Sequence, residues 1–435
     1  MTRVVLGLDP ERVGEGLGSE DIPVLLYGAH TSVPGAGLVG NDLRDRFSRL
    51  AVPPSRQAMD LVAVAMAVTA ADTFVLRDHT ADGWRRDIEI DLPVIEPDRW
   101  ALLTPLLSKA LNFLSGDSWT FTFRGGGLEP PSQRDVHRRA VIDPSKIDAV
   151  ALFSGGLDSG LGVMDLMDGG IRPLLVSHAP RGDKTYQVAV AGLLPSMPQR
   201  FEFNSYPSRE GATEITTRTR SFLFLTFASL VAQAVRTFRG SASINLYMCE
   251  NGLIALNPPL TARRIGALST RTAHPHYLAL LQELFDSIEL GVTIINPHRH
   301  ETKGEMLARR ANQANITEFA TATVSCGNWK RKNMQCGRCW PCSIRRSSFH
   351  WAGLTDRTEY DTDRLVDALA EDDYRDDVVS IHTALKRRYD RGLRSWVMQT
   401  GPLPQDLTER TALFSVVERG MDELESFFAS HGLSI

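Results

Sequence analysis

Two groups of residues in this chain have the types and the spacing to do chemistry. The first is Ser154-Gly155-Gly156-Leu157-Asp158-Ser159, directly after the apolar run Ile147 to Phe153 and ahead of the helical pattern Leu161 to Met167. A turn from strand into helix aims backbone N–H groups and serine hydroxyls at one spot, at the positive end of a helix, where phosphate oxygens fit. Gly155 and Gly156 let the backbone approach an anion with no Cβ in the way. The turn has no Gly-x4-Gly-Lys-Ser/Thr and no G-x-G-x-x-G in this strand-to-helix setting, so it is neither the usual P-loop nor a dinucleotide fingerprint.

The second group is Cys326, Cys336, Cys339 and Cys342, spaced C-x9-C-x2-C-x2-C; they are four of the five cysteines. Clustering of this kind in a cytosolic chain argues for metal rather than disulfides. Four thiolates suit tetrahedral Zn²⁺ with no open position, which makes the expected site structural. An iron–sulfur cluster is the rival occupant. Gly337 permits the turn between two ligands, and Lys330, Arg331, Lys332, Arg338, Arg345 and Arg346 are expected to offset the negative charge of the centre. Cys249 ends a strand-like run from Ile244 and reads as core.

The elements that must position these groups follow from the apolar pattern. Residues 146–350 alternate strands and helices: Ile147–Phe153, Pro173–Ser177, Arg200–Phe203, Ile244–Cys249 and Val292–Ile295 read as strands, and Ser221–Val235 has helical period. The expected fold is α/β, a doubly wound parallel sheet. Ligands of such sheets lie outside the carboxyl ends of the strands. Ser154–Ser159, Ser177-His178, Glu250-Asn251-Gly252 and Asn296-Pro297-His298 all fall at those ends. Residues 1–145 read as a separate α+β accessory domain ending in the glycine- and proline-rich stretch 125–132, with Asp72 and Arg77 on a solvated surface. Residues 351–435 read as a charged helical segment.

Composition sets further bounds. The chain has 435 residues, 43% hydrophobic and 23% charged, and a formal charge of −4. This suggests two or three domains of a globular protein and gives no sign of a nucleic-acid partner. No run reads as a bilayer span, and Asp9 and Glu11 interrupt the N-terminus too early for a secretory signal. A cytoplasmic location is the default expectation.

With loop and cysteines both in view, the chain resembles the 7-cyano-7-deazaguanine synthase (QueC-like) family of ATP pyrophosphatases, over roughly residues 146–350. The resemblance rests on Ser154–Ser159, Cys336-Gly337-Arg338-Cys339-Trp340-Pro341-Cys342, Arg220-Ser221-Phe222-Leu223-Phe224-Leu225 and Thr302-Lys303-Gly304-Glu305. It implies an ATP-dependent ligase that releases pyrophosphate and AMP. The long architecture is similar to the Qat-type branch found with anti-phage defence, which implies a protein amine as acceptor.

The resemblance also implies site roles. Ser154, Gly155, Gly156, Leu157, Asp158 and Ser159 would hold the phosphates of ATP, with Asp158 acting through Mg²⁺ and Ser177, His178, Glu250 and Asn251 nearby. Lys303 would neutralise phosphate charge or stand as an exposed helix-start lysine. Arg220 would fork a carboxylate or the α-phosphate or serve a structural ion pair, and Phe224 would stack on a base or belong to the core. Glu250 and His178 would accept a proton or position other groups. His274, His276, His298 and His300 read as ordinary polar residues. The implied substrate is 7-carboxy-7-deazaguanine. Nitrile synthesis from ammonia, tRNA modification and a non-catalytic assembly role remain the rival readings.

Overall fold

The computed structural model describes the chain except residues 180–181, 262–270, 330–332, 371 and 434–435, and the side chains of 137, 372–374 and 391. Lys330, Arg331 and Lys332 therefore lie outside the described residues. Ten strands form two five-stranded sheets among the described residues. The first contains β1 (Thr2–Gly7), β2 (Ile22–Leu26), β3 (Gly37–Val39), β4 (Asp87–Pro93) and β5 (Ser118–Arg124), in the order β3-β2-β1-β4-β5. The second contains β6 (Ala149–Leu152), β7 (Pro173–His178), β8 (Arg200–Phe203), β9 (Ile244–Tyr247) and β10 (Val292–Ile295), in the order β10-β9-β6-β7-β8.

Every pairing in both sheets is parallel. The N-terminal unit is therefore a parallel α/β sheet, which corrects the α+β expectation. The reason is visible in the chain: helices Arg56–Phe74 and Pro97–Ser115 separate its strands, and parallel neighbours need such crossovers. Its central strand, Thr2–Gly7, and the short edge strand Gly37–Val39 escape a reading that looks for longer apolar runs.

Both faces of the second sheet are covered. Alternate residues of β6 point to different cores: Val150 packs with Leu246, Phe222 and Val231, while Ala149 and Ala151 pack with Leu161, Val163 and Phe319. The first of these cores continues into the N-terminal sheet, joining Val4, Val24 and Ile90 to it. Helices Arg56–Phe74 and Arg220–Arg239 meet at that join. These two helices are long and apolar enough to cross a membrane, contrary to the sequence reading, but 83% and 78% of their apolar windows are buried inside the protein. Their apolarity is spent on the core.

The C-terminal helices close a third core. Val416, Val417, Leu424 and Phe428 of helix Leu407–Ser430 pack on Trp340 and Ile344 of helix Trp340–Trp351 and on Leu253 and Leu256.

Candidate active site at the carboxyl end of the second sheet

The strand order, not the strand direction, switches between β6 and β9, parallel neighbours at the centre of the second sheet: β7 and β8 lie to one side of them and β10 to the other. The glycine turn sits at the carboxyl end of β6. Phe153 N–H still donates to Val176 O on β7, and the chain then leaves the sheet. Gly155 takes φ +75°, a left-handed value that suits glycine, and a Cβ there would lie 2.8 Å from the Tyr186 ring. Gly156 caps helix Leu157–Asp168 without a side chain. The two serines brace the turn: their hydroxyls lie 3.1 Å apart, Gly156 N–H donates to Ser154 Oγ, and Ser159 Oγ donates to Gly156 O.

Asp158, in the first turn of that helix, is buried. Its Oδ2 accepts a 2.7 Å hydrogen bond from Asn251 Nδ2, and Lys303 Nζ lies 3.3 Å from its Oδ1. Burial alone would raise this carboxyl. Lys303, with hydrogen bonds from Glu250 and Asn251, outweighs burial and leaves it below the ordinary range. Glu250 goes the other way: burial, then its hydrogen bond to Asp158 and the charge there, push its carboxyl well above its ordinary value. The two neighbouring carboxyls are thus pushed in opposite directions and titrate as a pair.

Local sequence explains why these side chains arrive together. Asn251 caps helix Gly252–Leu256 through its Oδ1, which leaves Nδ2 for Asp158. Lys303 is the first residue of helix Lys303–Ala308, fixed by a capping box between Thr302 and Glu305. Lys303 is 5% exposed, so it is not a solvated helix-start lysine.

Two cavities meet at the loop. One, about 250 Å³, is walled by Val176, His178, Phe224, Met248, Arg220 and Gln187. The other, about 220 Å³, is walled by Gly156, Asp158, Lys303, Val324, Ser325 and Pro341. Ser154, Ser159, Cys249 and Glu250 line both. The first offers rings: His178 stacks on Phe224 at 4.9 Å between centroids, and the Arg220 guanidinium lies 5.6 Å from the Phe224 ring. It suits a flat heterocycle carrying an anion. The second suits phosphate, with a lysine and a glycine turn on its walls.

The remaining sequence candidates are placed as follows. Ser177 lines neither cavity; its hydroxyl donates 2.7 Å to Phe153 O and braces the loop from behind. His298 is buried, 2.9 Å from Glu301, and His300 lies 3.0 Å from Glu409. His274 packs on Phe113; burial, with Arg271 and His276 nearby, lowers it to about 3. Cys249 packs against the bare backbone of Gly162, and burial keeps its thiol protonated. Sequence reading missed Tyr186 and Gln187, which close the loop side of the first cavity. Their only signal is a place about one turn into helix Asp183–Gly192, which follows β7.

The four cysteine sulfurs lie within 4.8 Å of one another, all buried. Tetrahedral Zn–S geometry needs sulfurs about 3.8 Å apart, and Cys336 Sγ lies 3.9 Å from Cys342 Sγ. Backbone N–H groups of Cys336 and Asn328 point at Cys326 Sγ, and that of Cys339 at Cys336 Sγ. Such donors favour thiolates, so the residues fit zinc. Zinc would supply a cross-link. Arg345 and Arg346 donate to carbonyls, Arg345 to that of Ala320 and Arg346 to those of Gly337, within the cysteine loop, and Thr362. Buried C=O groups must be satisfied, and these guanidinium forks satisfy them. The module reaches the loop directly, for Val324 N–H donates 3.2 Å to Gly155 O.

No protein-family model matches the chain. One stretch has curated relatives. It is similar to 7-cyano-7-deazaguanine synthase. Synthases from Brucella ovis, Brucella canis and Brucella suis are each 39% identical to it over 70 residues, 16% of this chain. The chain spans only 28% of the length of these relatives in that match.

Proposed function

We propose that the protein is an ATP-dependent ligase of the QueC-like, PP-loop type, which activates 7-carboxy-7-deazaguanine and passes it to an amine. The observation that carries this reading is the buried Asp158–Lys303 pair at the foot of the serine–glycine loop, with a ring-lined cavity on the other side of the same loop. The partial similarity to 7-cyano-7-deazaguanine synthases supports it.

In this reading the heterocycle stacks on Phe224 beside His178, and Arg220 holds its carboxylate as a fork. A carboxylate oxygen attacks the α-phosphorus of ATP, the bond to the β,γ-pyrophosphate breaks, and an acyl adenylate forms. Ser154, Gly155, Gly156, Leu157 and Ser159 hold the departing pyrophosphate, and Lys303 meets its charge. Asp158 would hold a Mg²⁺ ion, and the ion would neutralise phosphate charge. The amine nitrogen then attacks the acyl carbon, loses a proton, and AMP leaves.

The proposed acceptor is the N-terminal amine of a partner protein of an anti-phage defence system. Residues 1–145 and 351–435 serve as accessory units around a ligase domain of 146–350. The name of the relatives favours a second reading, in which ammonia forms an amide and a further activation gives the nitrile. Mass spectrometry of a reaction with ATP, Mg²⁺, 7-carboxy-7-deazaguanine and ammonium separates them. AMP with nitrile selects the synthase. AMP or a trapped adenylate without nitrile selects the protein acceptor. Absence of substrate-dependent AMP overturns both.

A further inference from the structure

The helix that walls the ring-lined cavity begins without a cap of its own. Thr219 precedes helix Arg220–Arg239 yet makes no side-chain bond to its first turn. Its hydroxyl instead donates 2.8 Å to Asp72 Oδ2, at the far end of helix Arg56–Phe74 in the N-terminal unit. The same oxygen accepts the backbone N–H groups of Arg218 and Thr219, each at 2.8 Å. Three donors from one turn converge on one carboxylate oxygen.

Asp72 is itself held. Its other oxygen accepts from Arg86 Nη2 at 2.5 Å; Arg86 also binds Asp117 at 2.7 Å, and Asp117 binds Arg77 at 2.7 Å. All four are buried, which corrects the solvated-surface expectation for Asp72 and Arg77. The crossover that feeds the helix is fastened along the same unit: Gly40 N–H donates to Ser205 O, Leu38 and Ser208 exchange backbone hydrogen bonds, and Glu214 N–H donates to Thr73 O. The Arg218 guanidinium lies 4.0 Å from the Trp84 ring centroid and donates to Ser115 O.

We infer that Asp72 is a positioning residue for the ligase site, acting from the N-terminal unit to fix the helix start that presents Arg220, Ser221 and Phe224 to the cavity. A carboxylate at this end satisfies donors the helix cannot pair and complements its dipole. The inference rests on the proposed reading of that cavity as the acid-binding compartment, and it gives residues 1–145 a part in the chemistry.

The test uses full-length, zinc-loaded protein. Thr219→Val removes one donor and keeps the size of the side chain, while Thr219→Ser restores the hydroxyl. Asp72→Asn serves as the second probe if it folds, since it also weakens the bond to Arg86. Hydrogen exchange of the Leu223 and Phe224 amides reports the helix start. Thr219→Val should raise that exchange and raise KM for 7-carboxy-7-deazaguanine by about tenfold, the size expected for losing a hydrogen bond to a charge. The kcat should hold, and Thr219→Ser should resemble the parent. Unchanged exchange overturns the inference whatever the activity, and so does faster exchange with an unchanged KM. If the parent does not turn over the acid, the proposed function falls; the inference is then judged by ATP–Mg²⁺ calorimetry, where weaker binding by Thr219→Val supports it and equal binding overturns it.

Discussion

Lys303 Nζ lies 3.3 Å from Asp158 Oδ1, and both side chains are buried at the foot of the loop. An ammonium and a carboxylate so enclosed cost several kcal/mol each to desolvate, in order-of-magnitude terms. Glu250, Asn251 and Lys303 share that cost around one aspartate. Such an arrangement is costly for stability alone and suits a site that meets phosphate charge.

Removing the lysine should therefore cost rate. Lys303→Met is expected to lower AMP formation by roughly 10²- to 10³-fold, the usual loss for a preorganised charge-stabilising group. Asp158→Asn, which keeps an acceptor for Asn251, should reduce it comparably. Chromatographic AMP counts check this, alongside circular dichroism to show intact folding. A variant at the parental rate would remove this pair from the reaction.

Gly155 offers a sharper test of the loop. Alanine at φ +75° costs about 1–2 kcal/mol in backbone conformation, and its Cβ would meet Tyr186 at 2.8 Å. Gly155→Ala should weaken ATP binding, read by calorimetry. Adding Tyr186→Ala relieves the contact and leaves the φ strain, so the double variant should recover only part of the affinity.

The cysteine module should report on the loop. Cys339→Ser is expected to lower bound zinc, measured by elemental mass spectrometry, and to lower the thermal midpoint, because metal binding and folding are coupled. ATP affinity should fall with it, since Val324, just ahead of Cys326, holds Gly155 O. Full ATP affinity in zinc-free protein would show the module to be independent of the loop.

Glu423 gives a pH dependence. Burial raises this carboxyl from 4.5 to about 8, against hydrogen bonds from Thr302 and Gly304 that lower it. Its protonated form favours the folded state, so its contribution is complete below pH 4.5 and is lost as pH rises through about 8. One such group changes stability by at most about 1.4 kcal/mol per pH unit. Glutamine supplies an N–H where the acid supplies an O–H, so Glu423→Gln should flatten stability against pH over that window. Urea titrations at several pH values measure it, and an unchanged slope would rule Glu423 out as its source.

The sequence carries the loop and the cysteine cluster because both are local. A glycine turn between strand and helix and a C-x2-C-x2-C run are short enough for composition and spacing to specify them. It carries the alternation of the second sheet for the same reason, since short apolar runs between helical stretches mark parallel strands. The N-terminal sheet is less legible, because its central strand is the six-residue stretch Thr2–Gly7 and its edge strand only Gly37–Val39.

What the sequence by itself determined is which groups can bind phosphate and which can bind metal. What only the tertiary structure decided is which of them meet. Lys303 reaches Asp158, Asn251 gives its amide to Asp158, and Asp72 takes the start of the Arg220 helix, each across a long stretch of chain. Periodicity assigns a residue to a face of its own element. Contacts between distant elements follow from how the sheets and helices pack, and a buried charge declares its partner only once that packing has taken it out of water.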